Sequence, residues 1–174
     1  GSARGKDDGQ QYLSFEELEP PAEMHERAIL DVLGRLGSSA DWSEQFAAID
    51  DARRFIRFAP KLLLSGGHLR KLVALVATLV ESLRSALAKN ALRSGAELFQ
   101  CFGRRLDPEI EVLLPPMLRR SADTNGFISE EAELALLSMC KHISEAKLFP
   151  PLQAAAGHRR PEIRTKAVWG FAMV

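Results

Sequence analysis

The sequence contains few cysteines, few aromatic residues and no long uncharged apolar run. Its two cysteines, Cys101 and Cys140, lie in apolar helical contexts, so we exclude a disulfide framework and expect both to pack as small core hydrophobes. No apolar run approaches the ~20 residues that a membrane-spanning helix needs, and no signal peptide is visible, so we expect no membrane partner. With 46% hydrophobic and only 7% aromatic residues in a chain of 174, one mainly helical domain is predicted.

The motifs of the common enzyme classes are also missing from the sequence. The four histidines are scattered and show neither an HExxH motif nor a Cys/His metal spacing. There is no P-loop, no GxGxxG and no G-x-S-x-G elbow. Glu130, Glu131 and Glu133 form an acidic cluster, but acids in the first turn of a helix complement the positive end of its dipole. We therefore predict a protein that is not an enzyme and that uses no cofactor and no metal.

Charge is balanced overall but is unevenly distributed along the chain. Residues 1–60 carry seven basic and twelve acidic side chains, whereas residues 61–174 carry sixteen basic and eleven acidic ones. The later part is therefore suited to an acidic partner, although an ordinary solvated surface explains the same distribution. Zero net charge and scarce aromatic residues argue against nucleic-acid binding.

Helical periodicity begins after a polar start. Residues 1–21 are polar and Gly-rich, and their opening Gly1-Ser2 resembles a tag-cleavage scar, so we predict a flexible lead. The alternative for this segment is a short helical turn packed through Tyr12, Leu13, Phe15 and Leu18. Residues 22–174 show apolar positions at helical spacing, interrupted by Gly- and Ser-rich breaks. Eight helices are predicted there, arranged as four pairs.

The predicted helix pairs repeat in sequence. The segment "LLPPMLRRSADTNGFISEEAELAL" from Leu113 aligns without a gap on "LFPPLQAAAGHRRPEIRTKAVWGF" from Leu148, at an offset of 35 residues, and a looser copy begins at Leu72. Ile128 falls on an apolar residue in both sister repeats, which predicts a core position. Because a lone helical hairpin cannot bury its own apolar face, we predict an all-α fold, an α-solenoid of about four HEAT-like pairs.

The turns within the pairs carry the main functional signal. In an α-solenoid they line up along one edge, and we call the side chains there the turn ridge. Trp and Arg are favoured hot-spot residues, and a basic end of the ridge would steer an acidic partner. For Trp42 the alternative is folding back on Leu36 as a hydrophobic staple, and for Phe127 it is packing within the fold. The predicted ridge residues are Trp42, Arg84, Ser85, Asn125, Gly126, Phe127, Arg159, Arg160 and Arg164.

Several phrases of the sequence resemble a TOG domain of the class found in CLASP and crescerin proteins. The resemblance covers residues 22–174 and is carried by "SADWSEQFAAIDDARRF", "LRSALAKNALRSGAELFQCFG", "DTNGFISEEAELALLSMC" and "HRRPEIRTKA". It implies a flat array of HEAT repeats that binds αβ-tubulin or microtubules through its intra-repeat turns. The chain would supply the first four of the six repeats that this family implies.

The resemblance also implies a role for each turn. Trp42 would fill the first-turn position that rests on β-tubulin, with Arg84 and Ser85 in the second turn. The third turn would contain Asn125, Gly126 and Phe127, and the fourth, near α-tubulin, would contain Arg159, Arg160 and Arg164. The third turn of the family often carries a basic residue where this chain has Gly126. The departure implies weaker tubulin binding or a preference for the lattice over the free dimer.

The last predicted helix is apolar on several sides, with Trp169, Phe171 and Met173. Because the terminal repeats of a solenoid need a polar outer face, we expect either that further repeats follow or that a partner or second copy covers this edge. The resemblance implies a location on the cytoplasmic microtubule cytoskeleton, at a cilium or axoneme, centrosome or spindle. The alternative function is a HEAT-repeat scaffold or pseudo-TOG that binds another protein or self-associates.

Overall fold

The computed structural model describes residues 10–38 and 40–174, and the regular structure in these ranges is entirely helical. A 3-10 segment, Gly103–Glu109, leads into the sixth α-helix. The α-helices are α1 (Glu26–Ser38), α2 (Trp42–Phe58), α3 (Pro60–Leu63), α4 (His68–Val80), α5 (Ser85–Phe102), α6 (Ile110–Ser121), α7 (Gly126–His142), α8 (Glu145–Ala156) and α9 (Pro161–Met173).

Local sequence explains where several helices begin. The Asp41 carboxylate accepts a hydrogen bond of 2.9 Å from Ser43 N and so caps α2. Asn125 caps α7 in the same way. Pro161 is the first residue of α9, where its missing N–H costs little. Gly67 precedes α4 with φ 72°, a left-handed conformation that glycine adopts without strain.

The long helices form pairs that stack in two layers. Helix α1 packs on α2, α4 on α5, α6 on α7 and α8 on α9. Each helix also contacts its counterpart in the next pair, so α1, α4, α6 and α8 form one layer and α2, α5, α7 and α9 the other. The one-turn helix α3 connects the first pair to the second. The prediction of an all-α, HEAT-like α-solenoid is confirmed.

The apolar core fills the space between the two layers. Ile128 and its repeat counterparts Leu87 and Ile163 are each 2% exposed. Burying a side chain of this kind completely is worth about 1.5–3 kcal/mol relative to leaving it in water. The sequence repeat therefore identified positions that share a packing role, and the predicted core position of Ile128 is confirmed.

The two cysteines depart from their predicted core positions. Cys101 is exposed and Cys140 is half-buried, so the prediction is wrong for Cys101 and only partly right for Cys140. Phe99 and Phe102, on either side of Cys101 in the last turn of α5, turn inward instead. Partial burial raises the pKa of both thiols above the usual value.

Residues 10–21 lie against the second helix layer. Leu18 is 3% exposed, and Tyr12 and Phe15 pack on the core. Ser14 N donates to Glu17 Oε2 at 2.7 Å, which closes a short turn. The sequence left two interpretations of this segment, a flexible lead or a short turn packed through its apolar residues. Residues 10–21 adopt the second. Residues 1–9 of the predicted lead lie outside the described part of the chain.

Candidate functional site

The turns within the helix pairs lie at the N-terminal ends of the second-layer helices. These ends belong to α2, α5, α7 and α9, which stack side by side. The four connections therefore follow one another along one edge of the domain, as the turn ridge requires. Their described residues are 40–41, 81–84, 122–125 and 157–160.

Trp42 and Arg84 meet between the first and second turns. The Arg84 guanidinium carbon lies 5.3 Å from the centroid of a Trp42 ring, within the range of a cation–π contact. The indole is half-buried against the core, while Arg84 is exposed. Ser85 follows as the first residue of α5 and is half-buried. The structure thus brings the first two predicted parts of the ridge together.

The first turn also carries a carboxylate with a lowered pKa. Ser43 Oγ donates to Asp41 Oδ1 at 2.7 Å, and Ser43 N donates to the same oxygen. These hydrogen bonds lower the pKa of Asp41 below its usual value. The Asp41 carboxylate lies next to Trp42 in the chain and caps α2.

The second turn is held in place by an arginine of the next pair. Arg120 Nε donates to Val80 O at 2.7 Å, and Arg120 Nη2 donates to Ser82 O at 2.6 Å. The turn presents Leu83 with 100% exposure. Leu83 is not among the contacts predicted from the sequence, although a leucine in a short polar turn is a signal that the sequence contains.

The third turn is organised by its polar residues. Asp123 Oδ1 accepts from Asn125 N at 2.9 Å, and Asn125 Oδ1 accepts from Phe127 N at 3.1 Å. Gly126 is exposed, and a Cβ atom built on it would meet only Glu130 Oε1, at 3.8 Å. The turn is therefore ordered by its own hydrogen bonds and leaves room for a side chain at position 126.

Phe127 is half-buried and contacts residues from two other parts of the chain. Its ring lies edge-on to Tyr12, with the centroids 5.8 Å apart. Lys89 Nζ lies 3.7 Å from the Phe127 ring centroid and 4.0 Å from Glu131. The Phe127 ring thus packs within the fold on one side, as the alternative interpretation expected, while keeping part of its surface exposed at the ridge.

The fourth turn is basic, but its three arginines are used differently. Arg164 Nη1 donates to His158 O at 2.9 Å and to Arg159 O at 3.2 Å, so this side chain helps to hold the turn. Arg160 lies 3.8 Å from Glu162, and both side chains are largely exposed. Arg159 is also exposed. All three side chains are exposed, and Arg164 is the one that also holds the main chain of the turn.

An open cleft connects the second, third and fourth turns. Within it, Arg119 Nε donates to Glu81 Oε1 at 2.6 Å, and Arg120 forms an ion pair with Asp123 at 3.0 Å. Arg160 of the basic fourth turn therefore borders the same cleft as Asp123 and Thr124 of the third turn. The cleft is lined by Glu81, Arg119, Arg120, Ala122, Asp123, Thr124 and Arg160.

The described residues contain neither a cluster of metal-ligating side chains nor a helix that could span a membrane. No cluster of three or more His, Cys, Asp or Glu side chains is placed to hold a metal ion in residues 10–38 and 40–174. In the same residues, every helix is too short or too polar to cross a bilayer.

Comparison with known proteins assigns a family to the chain. A family model described as CLASP N terminal matches residues 39–171. The human protein named TOG array regulator of axonemal microtubules protein 1 is 24% identical over 137 residues, which cover 79% of this chain and 8% of that protein. The mouse protein of the same name is 25% identical over 118 residues, covering 68% of this chain and 6% of that protein. The chain therefore spans less than a tenth of the length of these relatives.

Proposed function

Because the chain belongs to the CLASP N-terminal family, as the resemblance to a TOG domain predicted, we propose that it binds tubulin or microtubules through its turn ridge. The names of the human and mouse relatives describe regulators of axonemal microtubules. The observation that carries the proposal is the paired Trp42 and Arg84 at one end of the edge, with the exposed Arg159 and Arg160 at the other.

The two ends of the ridge would contribute differently to binding. Trp42 offers a large ring that is only half-covered, and such anchors supply much of the binding energy of an interface. Arg159 and Arg160 would steer an acidic surface and raise the association rate. Exposed charges are screened by salt, so binding is expected to weaken as ionic strength rises.

This binding would act on tubulin without covalent chemistry. A domain that binds one tubulin curvature more tightly than another shifts the population toward the preferred curvature. The shift is limited to the difference between the two affinities. The chain would therefore regulate assembly at cytoplasmic microtubules, with the cilium and axoneme as the first locations to examine.

The anchor is tested by Trp42→Ala, with Trp169→Ala as the matched control. Trp169 also packs partly on the core, but it lies in α9 away from the first turn. Trp42→Ala is expected to weaken binding to fluorescent tubulin by about tenfold or more, while Trp169→Ala leaves the affinity near that of the parent. Circular dichroism checks that both variants stay folded. Equal affinity of Trp42→Ala and the parent would show that Trp42 is not a contact.

The basic end is tested by the double change Arg159→Glu and Arg160→Glu. Arg104→Glu with Arg105→Glu is the control, because these exposed arginines lie in the 3-10 segment that connects two pairs at the opposite edge. Both double variants change the net charge equally, so only the position differs. The first is expected to lose affinity and salt dependence, and the second to keep both. Equal losses would mean that net charge decides binding and the ridge does not.

A second candidate, self-association, is favoured by the apolar surface of the last pair. Val168 is 61% exposed, Phe149 is 46% exposed and Met173 is 42% exposed. A pseudo-TOG or scaffold function would use this surface for a second copy or for a protein other than tubulin. Light scattering with and without tubulin separates the candidates. A dimer that forms without tubulin and dissociates in Val168→Glu supports the second candidate, whereas a monomer that shifts only with tubulin supports the first.

A further inference from the structure

The N-terminal segment, residues 12–18, is attached to the second layer through its main chain. Leu13 O accepts from Arg53 Nη2 at 2.7 Å and from Arg93 Nη1 at 3.2 Å. Arg57 Nη1 donates to Phe15 O at 2.9 Å and to two further carbonyls of the segment. Because guanidinium groups hold several successive carbonyls, the path of the segment is set by α2 and α5.

This attachment brings Tyr12 to the third turn of the ridge. The Tyr12 ring centroid lies 5.5 Å from that of Phe46 and 5.8 Å from that of Phe127, both in edge-to-face geometry. Lys89 Nζ lies 4.9 Å from the Tyr12 ring centroid and 3.7 Å from the Phe127 ring centroid. Tyr12 therefore joins α2, α5 and α7 at the place where the third turn ends and α7 begins.

Phe127 is also coupled to the conformation of the third turn. Its N–H donates to Asn125, the capping residue of α7, so a shift of Phe127 disturbs the hydrogen bond that orders the turn. Tyr12 packs against the Phe127 ring and limits such shifts. A group that is already ordered loses less conformational entropy when a partner binds.

We propose that Tyr12 is a positioning residue of the turn ridge, holding Phe127 and Lys89 at the third turn in the arrangement that meets tubulin. The proposal rests on the proposed tubulin-binding function and extends it to a segment outside the helix pairs. Tyr12 acts through Phe127 and Lys89, and the hydrogen bonds that hold the half-buried Leu13 keep it there. Within the segment, Tyr12 thus serves the interface, whereas Phe15 packs on Arg57 and serves the fold.

The matched variants are Tyr12→Ala, Tyr12→Phe and Phe15→Ala. Tyr12→Phe keeps the ring, while Phe15→Ala removes another ring of the same segment, one that packs on Arg57 instead of Phe127. Tyr12→Ala is expected to weaken tubulin binding by about two- to tenfold, the cost of ordering one or two side chains on binding. Tyr12→Phe and Phe15→Ala are expected to bind like the parent. Equal losses in Tyr12→Ala and Phe15→Ala, or no loss in Tyr12→Ala, would overturn the proposal.

Hydrogen exchange tests the positioning without tubulin. Amides of residues 122–131 are expected to exchange faster in Tyr12→Ala than in the parent and in Phe15→Ala, because the third turn has lost a neighbour. Unchanged exchange overturns the proposal whatever the affinities are. If the parent fails to bind tubulin but exchange responds as expected, the proposed function is wrong and the positioning of Phe127 by Tyr12 stands.

Discussion

We expect Arg53→Met to destabilise the domain strongly, because Arg53 is a fully buried cation with several acceptors. It is 0% exposed, and its Nη2 donates to Glu97 Oε1 at 2.7 Å and to Leu13 O at 2.7 Å. Its Nη1 also donates to Asp50 Oδ1 at 3.2 Å. Methionine fills much of the same space but donates no hydrogen bond, so the buried Glu97 carboxylate loses the donors that Arg53 supplies. Leu13 O keeps Arg93 as a donor, and Asp50 Oδ1 keeps Asn90.

The size of the effect follows from the burial of the pair. Removing one partner of a buried ion pair costs about 3–5 kcal/mol, because the other charge stays desolvated. That is a large fraction of the about 5–15 kcal/mol that stabilises a typical domain. For a chain of this size each kcal/mol lowers the Tm by about 2–4 °C, so a decrease of about 6–20 °C is expected.

The loss of stability is expected to depend on pH through Glu97. Burial raises the pKa of Glu97, and the hydrogen bonds and charge of Arg53 oppose that rise. In Arg53→Met the folded-state pKa rises further above the unfolded value. The folded state then keeps a proton that the unfolded state has released, so stability falls as the pH rises through the folded-state pKa. Arg53→Met is therefore expected to be less damaging at about pH 5 than at about pH 8.

Urea unfolding followed by circular dichroism at both pH values measures these effects. Arg70→Met is the control, because Arg70 is 85% exposed and pairs only weakly with Glu109, so it should stay within about 0.5 kcal/mol of the parent. Adding Glu97→Gln to Arg53→Met removes the ionisable group and should abolish the extra pH dependence. A loss below about 1 kcal/mol at both pH values would refute the reasoning that the pair is desolvated.

Three smaller perturbations have equally direct outcomes. Gly126→Lys should bind tubulin more tightly than Gly126→Ala in a salt titration, because it adds a cation where only Glu130 is near; equal affinities would contradict this. Leu83→Ser should weaken tubulin binding in an anisotropy assay yet change the unfolding free energy by less than about 0.5 kcal/mol, because Leu83 is fully exposed. Asn125→Ala should lower stability by about 0.5–2 kcal/mol in calorimetry through loss of the cap on Phe127 N, with Asn125→Asp close to the parent; similar losses in both would mean that the cap is unimportant.

The architecture was predictable because its signals are local and repeated. Helical spacing of apolar residues identifies each of the eight paired helices, though not the one-turn α3, and the 35-residue offset between Leu113 and Leu148 identifies the pairing. Stacking of such pairs then follows from the need to bury one apolar face of each hairpin. The turns could be located for the same reason, and Trp42 and Arg84 do meet at adjacent turns.

The N-terminal segment was not predictable to the same extent. Half of residues 10–21 are Gln, Ser or Glu, and the order of the segment depends on Arg53 and Arg57, which lie about 40 residues further along the chain. Their donors reach main-chain carbonyls, which every residue has, so no side-chain pattern in the segment identifies the contact. Cys101 shows the same limit, because it sits in an apolar stretch but at the exposed end of α5.

The sequence by itself determined the helices, their pairing and which residues lie in the turns, because periodicity, caps and repeats act over a few residues or between equivalent positions. Only the tertiary structure decided how the ridge residues are used. It shows that Arg164 holds its own turn, that Phe127 packs on Tyr12 and that Leu83 is left fully exposed. Those outcomes depend on which residues, distant in the sequence, pack beside each side chain. The stacking of the helix pairs determines that packing.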